Sequence, residues 1–201
     1  YVTEQVRVNG KTYQSIQTEN SFTQPNAGIN EKMIEWASRH AGNTSHDLLE
    51  LYCGNGNFTL PLAKQFNRVL ATEISKGSVN AARRGAELNS INNVTVVRMS
   101  AEEFSQAMQG TLSSRRAEEA NLSSFNCKTV LVDPPRAGLD ELAIQLVRQY
   151  SRIIYISCNP DTLIDNIKAL GKEFKVTSAA IFDQFPYTDH IESGVILEKL
   201  S

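Results

Sequence analysis

The sequence predicts a doubly wound α/β fold with a mostly parallel sheet that a C-terminal antiparallel hairpin closes. Strand-like apolar runs alternate with amphipathic helical runs through most of the chain, which is typical of parallel strands joined by helical crossovers. The last two strand-like runs are joined without a helix, which indicates an antiparallel ending. With 201 residues and 41% hydrophobic content, the chain can bury one core, so we expect one globular domain.

The chain begins with a hairpin pattern, in which Asn9 and Gly10 form a tight turn between alternating residues. Apolar residues at helical spacing then predict a helix over residues 30–41. We therefore divide the chain into residues 1–25, a hairpin and linker left from a longer N-terminal region, and residues 26–201, the α/β domain.

The alternating part contains five predicted strands separated by helices. A polar insertion at residues 109–126 is expected to be an exposed loop or helix. The two final strands are joined only by the turn-prone residues 185–189. The predicted strands are residues 47–51, 68–72, 94–98, 129–132, 152–157, 175–182 and 195–199.

Composition excludes several classes of protein. The longest apolar runs are strand-sized and far below the roughly 20 residues of a membrane span, so no membrane association is expected. Cys53, Cys127 and Cys158 are too few and too scattered for a disulfide framework or a zinc site, so we expect no metal and a reducing cytoplasm. The net charge of −2 gives no general attraction to nucleic acid, and any RNA partner must be argued from a site.

The turn after the first predicted strand of the α/β domain is a candidate nucleotide site. Gly54 and Gly56 let the backbone approach a ligand closely, although a tight turn without a ligand gives the same pattern. Glu73 ends the next strand, where its carboxylate can accept hydrogen bonds from ribose hydroxyls, or it is a solvated charge. The third glycine of the dinucleotide fingerprint is missing, so an adenosyl ligand without phosphates fits better than a pyrophosphate.

Two further residues follow strands and therefore face the same edge of the sheet. Asp133 ends the fourth of these strands, and Cys158 follows the fifth, so both lie beside the crevice where open α/β sheets bind ligands. A cysteine after an apolar strand is also commonly a small buried side chain. Glu192 begins the last strand and is a candidate base, with a surface position as the alternative, and His190 is a second candidate base.

These residues carry a resemblance to the RNA uracil-5 methyltransferase family, and within it to the bacterial tRNA (uracil-5-)-methyltransferases. It covers nearly the whole chain from Phe22 onward and implies a Rossmann-like class I fold that binds S-adenosylmethionine. The motifs, in the family's order, are FTQPN at 22–26, LYCGNGNF at 51–58, DPPR at 133–136, SCNP at 157–160 and FPYTDHIE at 185–192.

The resemblance implies a covalent reaction. Cys158 adds to C6 of a uracil, which makes C5 nucleophilic enough to take the methyl group, and Glu192 removes the C5 proton so that the sulfur can leave. Phe22 is implied, less specifically, to stack near the extruded base. The positions that match the family's S-adenosylmethionine contacts are Gln24, Tyr52, Gly54, Asn57, Glu73 and Asp133.

The implied partner is tRNA, at the T-loop uridine, or another RNA with a T-like loop, and we expect a cytoplasmic monomer. Three alternatives stay open. An rRNA uracil-5 methyltransferase has the same chemistry but commonly carries an N-terminal barrel and iron–sulfur cysteines. An NAD-dependent oxidoreductase would have the third glycine. A cofactor-binding module without activity is possible if RNA docking needs the additional N-terminal region that family members have.

Overall fold

The computed structural model describes residues 1–19, 21–42 and 45–200, and the strands and helices agree closely with the expected pattern. The strands are β1 (Val2–Val8), β2 (Lys11–Gln17), β3 (Asp47–Leu51), β4 (Val69–Glu73), β5 (Val94–Arg98), β6 (Cys127–Val132), β7 (Arg152–Ser157), β8 (Phe174–Phe182) and β9 (Glu192–Lys199). The helices are α1 (Ala27–Arg39), α2 (Thr59–Leu62), α3 (Lys76–Leu88), α4 (Ala101–Met108), α5 (Arg115–Glu119), α6 (Glu141–Val147) and α7 (Pro160–Leu170).

The main sheet has seven strands in the order β5-β4-β3-β6-β7-β9-β8. Strands β3 to β7 are parallel, and β9 is antiparallel to both β7 and β8. The prediction of a parallel sheet closed by an antiparallel hairpin is therefore confirmed. Because the five parallel strands run the same way, the residues that follow them all meet at one edge of the sheet.

The central strands of the sheet are buried on both faces, and their sequences show why. Successive side chains of a strand point to opposite faces, so Leu49 packs into the hydrophobic cluster on one face while Leu48 packs into the cluster on the other. In β6, Val130 packs into the first of these clusters and Leu131 into the second. A strand with both faces covered needs mostly apolar residues, and the central residues of β3, β6 and β7 follow this pattern except for the buried Glu50 of β3.

The N-terminal hairpin packs onto the main domain. Asn9 and Gly10 both have positive φ angles, 50° and 75°, as a two-residue turn with the hairpin twist requires. The backbone N–H of Arg7 donates to Glu31 of α1 at 2.7 Å, and Gln14 of β2 exchanges two hydrogen bonds with Asn89 at the end of α3. The hairpin thus extends the core that covers one face of the sheet.

Two elements begin three residues before their predicted starts: α1, and β9, which begins at Glu192 and not at residue 195. Helix α1 begins at Ala27, three residues earlier than expected, because the Asn26 side chain accepts a hydrogen bond from the Ile29 N–H and caps the helix there. The polar insertion contains the short helix α5 and one 3-10 turn and is largely exposed. Across the described residues no helix combines the length and apolarity that crossing a membrane requires.

Candidate active site

A cavity of about 770 Å³ opens at the carboxyl edge of the parallel strands. Every residue that the sequence assigned to the cofactor or to the chemistry lines it, and so does Phe22, whose side chain is 70% exposed. The structure thus brings together side chains that lie as far apart in the sequence as Phe22 and Glu192, a separation of 170 positions. The predicted residues on its wall are Gln24, Tyr52, Gly54, Asn57, Glu73, Asp133, Cys158 and Glu192.

The turn after β3 forms the floor of the cavity. Tyr52, Gly54 and Gly56 all have positive φ angles, 61°, 56° and 90°, a conformation that costs most residues energy and glycine little. A Cβ atom added at Gly54 would meet no atom within 4 Å, whereas one at Gly56 would lie 3.3 Å from Leu60 Cγ. Gly54 therefore leaves space on the cavity side, and Gly56 allows close packing of the helices beneath.

The carboxylate of Glu73 is held in place by backbone amides. One oxygen accepts a hydrogen bond from the Gly54 N–H at 3.0 Å, and the other accepts one from the Ser75 N–H at 2.7 Å. Each carboxylate oxygen has a further lone pair, and the side chain is only partly buried at the cavity wall. The arrangement is suited to accept two hydroxyl hydrogen bonds from a ribose.

Two amide pairs position predicted residues, and the partners in these pairs were not among the predicted site residues. Asn57 exchanges hydrogen bonds of 2.8 and 2.9 Å with Asn30, which is buried in α1. Gln184, which is 1% exposed, donates from its amide to Gln24 Oε1 at 2.7 Å. The sequence gives one sign of the role of Asn30, which is its polar side chain on the apolar face of a helix. A polar group that is buried there needs a hydrogen-bond partner.

Cys158 lies between the end of β7 and the start of α7, where a hydrogen-bonded loop fixes it. Asn159 caps α7 by accepting from the Asp161 N–H at 3.2 Å. The Asn159 amide also donates to the Arg136 carbonyl at 3.1 Å, which ties this loop to the loop that carries Asp133. The thiol is partly buried at the cavity wall, beside the positive end of α7.

Glu192 is the first residue of β9, and the strand register relates it to Cys158. Ser193 of β9 pairs with Ser157 of β7 as the last pair of the two strands, and Glu192 and Cys158 are the chain neighbours of that pair. The Glu192 side chain is 2% exposed, and its Oε2 atom has no hydrogen-bond partner among the described residues.

The cavity holds several acidic groups in a poorly solvated place. Burial raises the pKa of Glu192 to about 7, and burial together with the Glu192 charge raises the pKa of Asp133 to about 8. Burial and these two carboxylates also raise the pKa of the Cys158 thiol, while Arg136 acts in the opposite direction. Glu50, under the glycine turn, has a pKa of about 8 because it is buried.

The other candidates are less well placed. Cys53 is buried in the turn, which raises the pKa of its thiol well above the usual value, and Cys127 begins β6 at the opposite edge of the sheet. The ring of His190 is contacted by the Arg136 guanidinium at 3.1 Å, which occupies a nitrogen that a base would need. Among the described residues, no group of three or more His, Cys, Asp and Glu side chains could hold a metal ion.

The fold and this edge of the sheet define the class. The S-adenosylmethionine-dependent methyltransferases combine a glycine turn, an acidic residue at the end of the next strand and a closing antiparallel strand. Comparison with solved structures confirms the predicted fold. A tRNA (uracil-54, C5)-methyltransferase of Pyrococcus abyssi, solved with S-adenosyl-L-homocysteine, has a TM-score of 0.74 and 27% identity over 97% of this chain and 44% of its own. A Thermus thermophilus 16S rRNA N2 G1207 methyltransferase has a TM-score of 0.70 over 99% of this chain and 50% of its own, with 17% identity.

Sequence comparison gives the family. The sequence model described as tRNA (Uracil-5-)-methyltransferase matches residues 1–200, so the chain belongs to that family. A tRNA/tmRNA (uracil-C(5))-methyltransferase of Idiomarina loihiensis is 72% identical over 100% of this chain and 55% of its own length. One of Colwellia psychrerythraea is 57% identical over 99% and 55%. The chain thus spans about half the length of these relatives, and the oxidoreductase alternative is wrong.

Proposed function

We propose that this chain carries the chemical site of an enzyme that transfers a methyl group from S-adenosylmethionine to C5 of a uridine in RNA. The observation that carries the proposal is that Cys158 and Glu192, which adjoin the last residue pair of β7 and β9, both line the wall of one cavity. A nucleophile and a base at the wall of one cavity can act on adjacent carbons of one pyrimidine ring.

The residues at the other end of the cavity fit S-adenosylmethionine. Gly54 leaves room on the cavity side of the turn, and the Glu73 carboxylate has lone pairs available beside it. The amide groups of Asn57 and Gln24 are held by Asn30 and Gln184, so they can contact the ligand without losing much side-chain freedom on binding. When bound, S-adenosylmethionine supplies the electrophilic methyl group.

The chain's own residues perform the remaining steps. Cys158 attacks as its thiolate, whose formation Arg136 and the positive end of α7 assist against the burial and the carboxylates that raise the pKa of the thiol, and the sulfur forms a bond to C6 of the uracil. The electrons displaced onto C5 take the methyl group. Glu192 in its carboxylate form then removes the C5 proton, and the electrons of that C–H bond restore the ring double bond and expel the Cys158 sulfur. A pKa of about 7 suits this role, because Glu192 must be ionised yet basic.

We propose tRNA as the RNA, with the T-loop uridine as its target, and a monomeric enzyme in the cytoplasm. The support is the family itself and the 27% identical archaeal neighbour, whose name specifies uracil 54 of tRNA. Phe22, exposed at the cavity mouth, has the flat apolar surface on which an unstacked base rests in many RNA-binding proteins.

A mechanism-based adduct tests the chemistry. A T-loop RNA hairpin with 5-fluorouridine at the target, incubated with S-adenosylmethionine, should give a complex that survives a denaturing gel, because fluorine cannot leave C5 as a proton would. Cys158→Ala should form none. Cys127→Ala is the matched control, since Cys127 lies at the other edge of the sheet, and it should form the adduct. An adduct that persists in Cys158→Ala would remove this residue as the nucleophile.

The chain's half-length favours one second candidate. Because it covers 55% of the relatives, it could bind S-adenosylmethionine and yet need the rest of the protein to present RNA. Calorimetry separates the two functions: binding of S-adenosylmethionine together with no RNA binding and no adduct would identify a cofactor-binding module.

A further inference from the structure

A second groove lies beside the active-site cavity, between α3, β5 and α5. Its volume is about 410 Å³. Four of its lining residues are basic, one is acidic, and none has a role in the chemistry proposed above. The basic residues are Lys76, Arg83, Arg98 and Arg116, and the acidic one is Glu119.

The basic residues of the groove are not neutralised within the protein. None of the four forms an ion pair in the described part of the chain. Glu119 is already paired with Arg115, at 2.7 Å. By contrast, Arg84, the sequence neighbour of Arg83, is paired with Glu87 at 2.9 Å. The groove is thus a local concentration of unpaired positive charge on a chain whose net charge is −2.

Backbone carbonyls fix the directions of the three guanidinium groups. Arg83 donates from Nη2 to the Val96 carbonyl at 2.7 Å. Arg98 donates from Nε to the Ile74 carbonyl at 3.0 Å, and Arg116 donates from Nη1 to the Arg98 carbonyl at 3.0 Å. Each guanidinium has five N–H donors, so most remain free for a ligand. Because the side chains are already held, a ligand would cost them little additional entropy.

The groove adjoins the cofactor end of the cavity. Ser78 of α3 lines the cavity, while Lys76 and Asn80 of the same helix line the groove. At the end of β5, Arg98 lines the groove and the next residue, Met99, lines the cavity. A polymer whose target base enters the cavity can therefore lay another part of its backbone along these arginines.

We propose that this groove binds the phosphodiester backbone of the RNA substrate. The inference rests on the proposed function, because it takes that substrate to be RNA. Forked guanidinium groups match the geometry of phosphate oxygens, and neutralisation of phosphates releases counterions, which gives affinity that depends on salt. The groove would add affinity and orientation without reading sequence.

Binding of a fluorescein-labelled tRNA transcript, measured by anisotropy over a range of KCl concentrations, tests the proposal. Arg83→Gln, Arg98→Gln and Arg116→Gln should each weaken binding by about tenfold, the effect of one lost charge-assisted hydrogen bond. Each should also reduce the slope of log K against log salt by about 1. Binding of S-adenosylmethionine should stay at the parental value, which shows that the fold is intact.

Matched controls separate a groove contact from charge alone. Arg84→Gln removes the same charge one position away, from a side chain that already has a carboxylate partner, and should leave the slope unchanged. Glu119→Gln removes a carboxylate from the groove wall and should tighten RNA binding. Equal slopes in Arg83→Gln and Arg84→Gln would overturn the proposal, and so would a parent chain that binds no tRNA.

Two further measurements separate RNA binding in the groove from mononucleotide binding and from methyl transfer. The first is binding of uridine monophosphate to the parent chain and to Arg98→Gln. If Arg98→Gln loses this binding but keeps the parental affinity for tRNA, the groove is a mononucleotide site and the RNA assignment is overturned. Methyl transfer is measured separately, at saturating tRNA, where the groove variants should match the parent. If the parent binds tRNA through the groove but transfers no methyl group, the proposed function fails and the groove assignment stands.

Discussion

Removal of the Asn30 side chain should weaken both the fold and the cofactor site. Asn30 is 4% exposed, and its amide exchanges hydrogen bonds of 2.8 and 2.9 Å with Asn57 at the cavity wall. In Asn30→Ala the Asn57 amide loses both partners and is free to adopt other rotamers. We therefore expect a lower free energy of unfolding and a weaker affinity for S-adenosylmethionine in the same variant.

The magnitude follows from the two hydrogen bonds. A neutral hydrogen bond contributes about 1 kcal/mol net, so the interaction between Asn30 and Asn57 should be worth about 2 kcal/mol. For a domain of this size that free energy corresponds to a fall in melting temperature of roughly 4–8 °C. Loss of the fixed Asn57 rotamer should weaken S-adenosylmethionine binding on the order of fivefold, from about 1 kcal/mol of ordering free energy.

A double-mutant cycle measures the interaction directly. Urea unfolding of the parent, Asn30→Ala, Asn57→Ala and the double variant gives the coupling energy, and calorimetry gives the affinity for S-adenosylmethionine. If the two single effects add to the double effect within about 0.5 kcal/mol, the amide pair does not stabilise the site and the reasoning is refuted.

Three other predictions concern the turn and the acidic groups. Gly54→Ala and Gly10→Ala both place a Cβ at a positive φ angle and should each lower stability by about 1 kcal/mol; only Gly54→Ala should weaken S-adenosylmethionine binding in calorimetry. Since burial raises the pKa of Glu192 to about 7, the rate at which the methylated covalent adduct breaks down should rise up to about pH 7 and then level off, and Glu192→Gln should accumulate covalent RNA. A breakdown rate that is flat from pH 5 to 8 contradicts the base role. The pKa values of Glu50 and Asp133, both about 8, exceed the values near 4 expected in the unfolded chain. These groups therefore stabilise the folded state most below pH 4, and their contribution is lost as the pH rises toward 8. Urea unfolding should give a lower free energy of unfolding at pH 8 than at pH 5. In Glu50→Gln this difference between the two pH values should be smaller by on the order of 3 kcal/mol.

The fold was largely predictable because its pattern is local. Alternation of strands and helices identified the parallel sheet, and the missing helix between β8 and β9 identified the antiparallel ending. The position of Cys158 at the carboxyl edge also followed, because parallel strands place their ends together. The start of α1 was missed because a single side-chain hydrogen bond from Asn26 decides it.

The supporting residues of the site were not predictable from sequence. Asn30 and Gln184 hold Asn57 and Gln24 across separations of 27 and 160 residues, and no local pattern reports contacts of that range. The groove was missed for the same reason. Arg83, Arg98 and Arg116 are scattered along an acidic chain, and only the packing of α3, β5 and α5 brings them together.

Mass spectrometry of the trapped RNA complex tests the central claim most directly. After digestion of the 5-fluorouridine complex with trypsin and ribonuclease, the added mass of a methylated fluorouridine nucleotide should lie on the peptide that contains Cys158. The same mass on a peptide that contains Cys53 or Cys127, or an adduct without the methyl group in the presence of S-adenosylmethionine, would contradict the account.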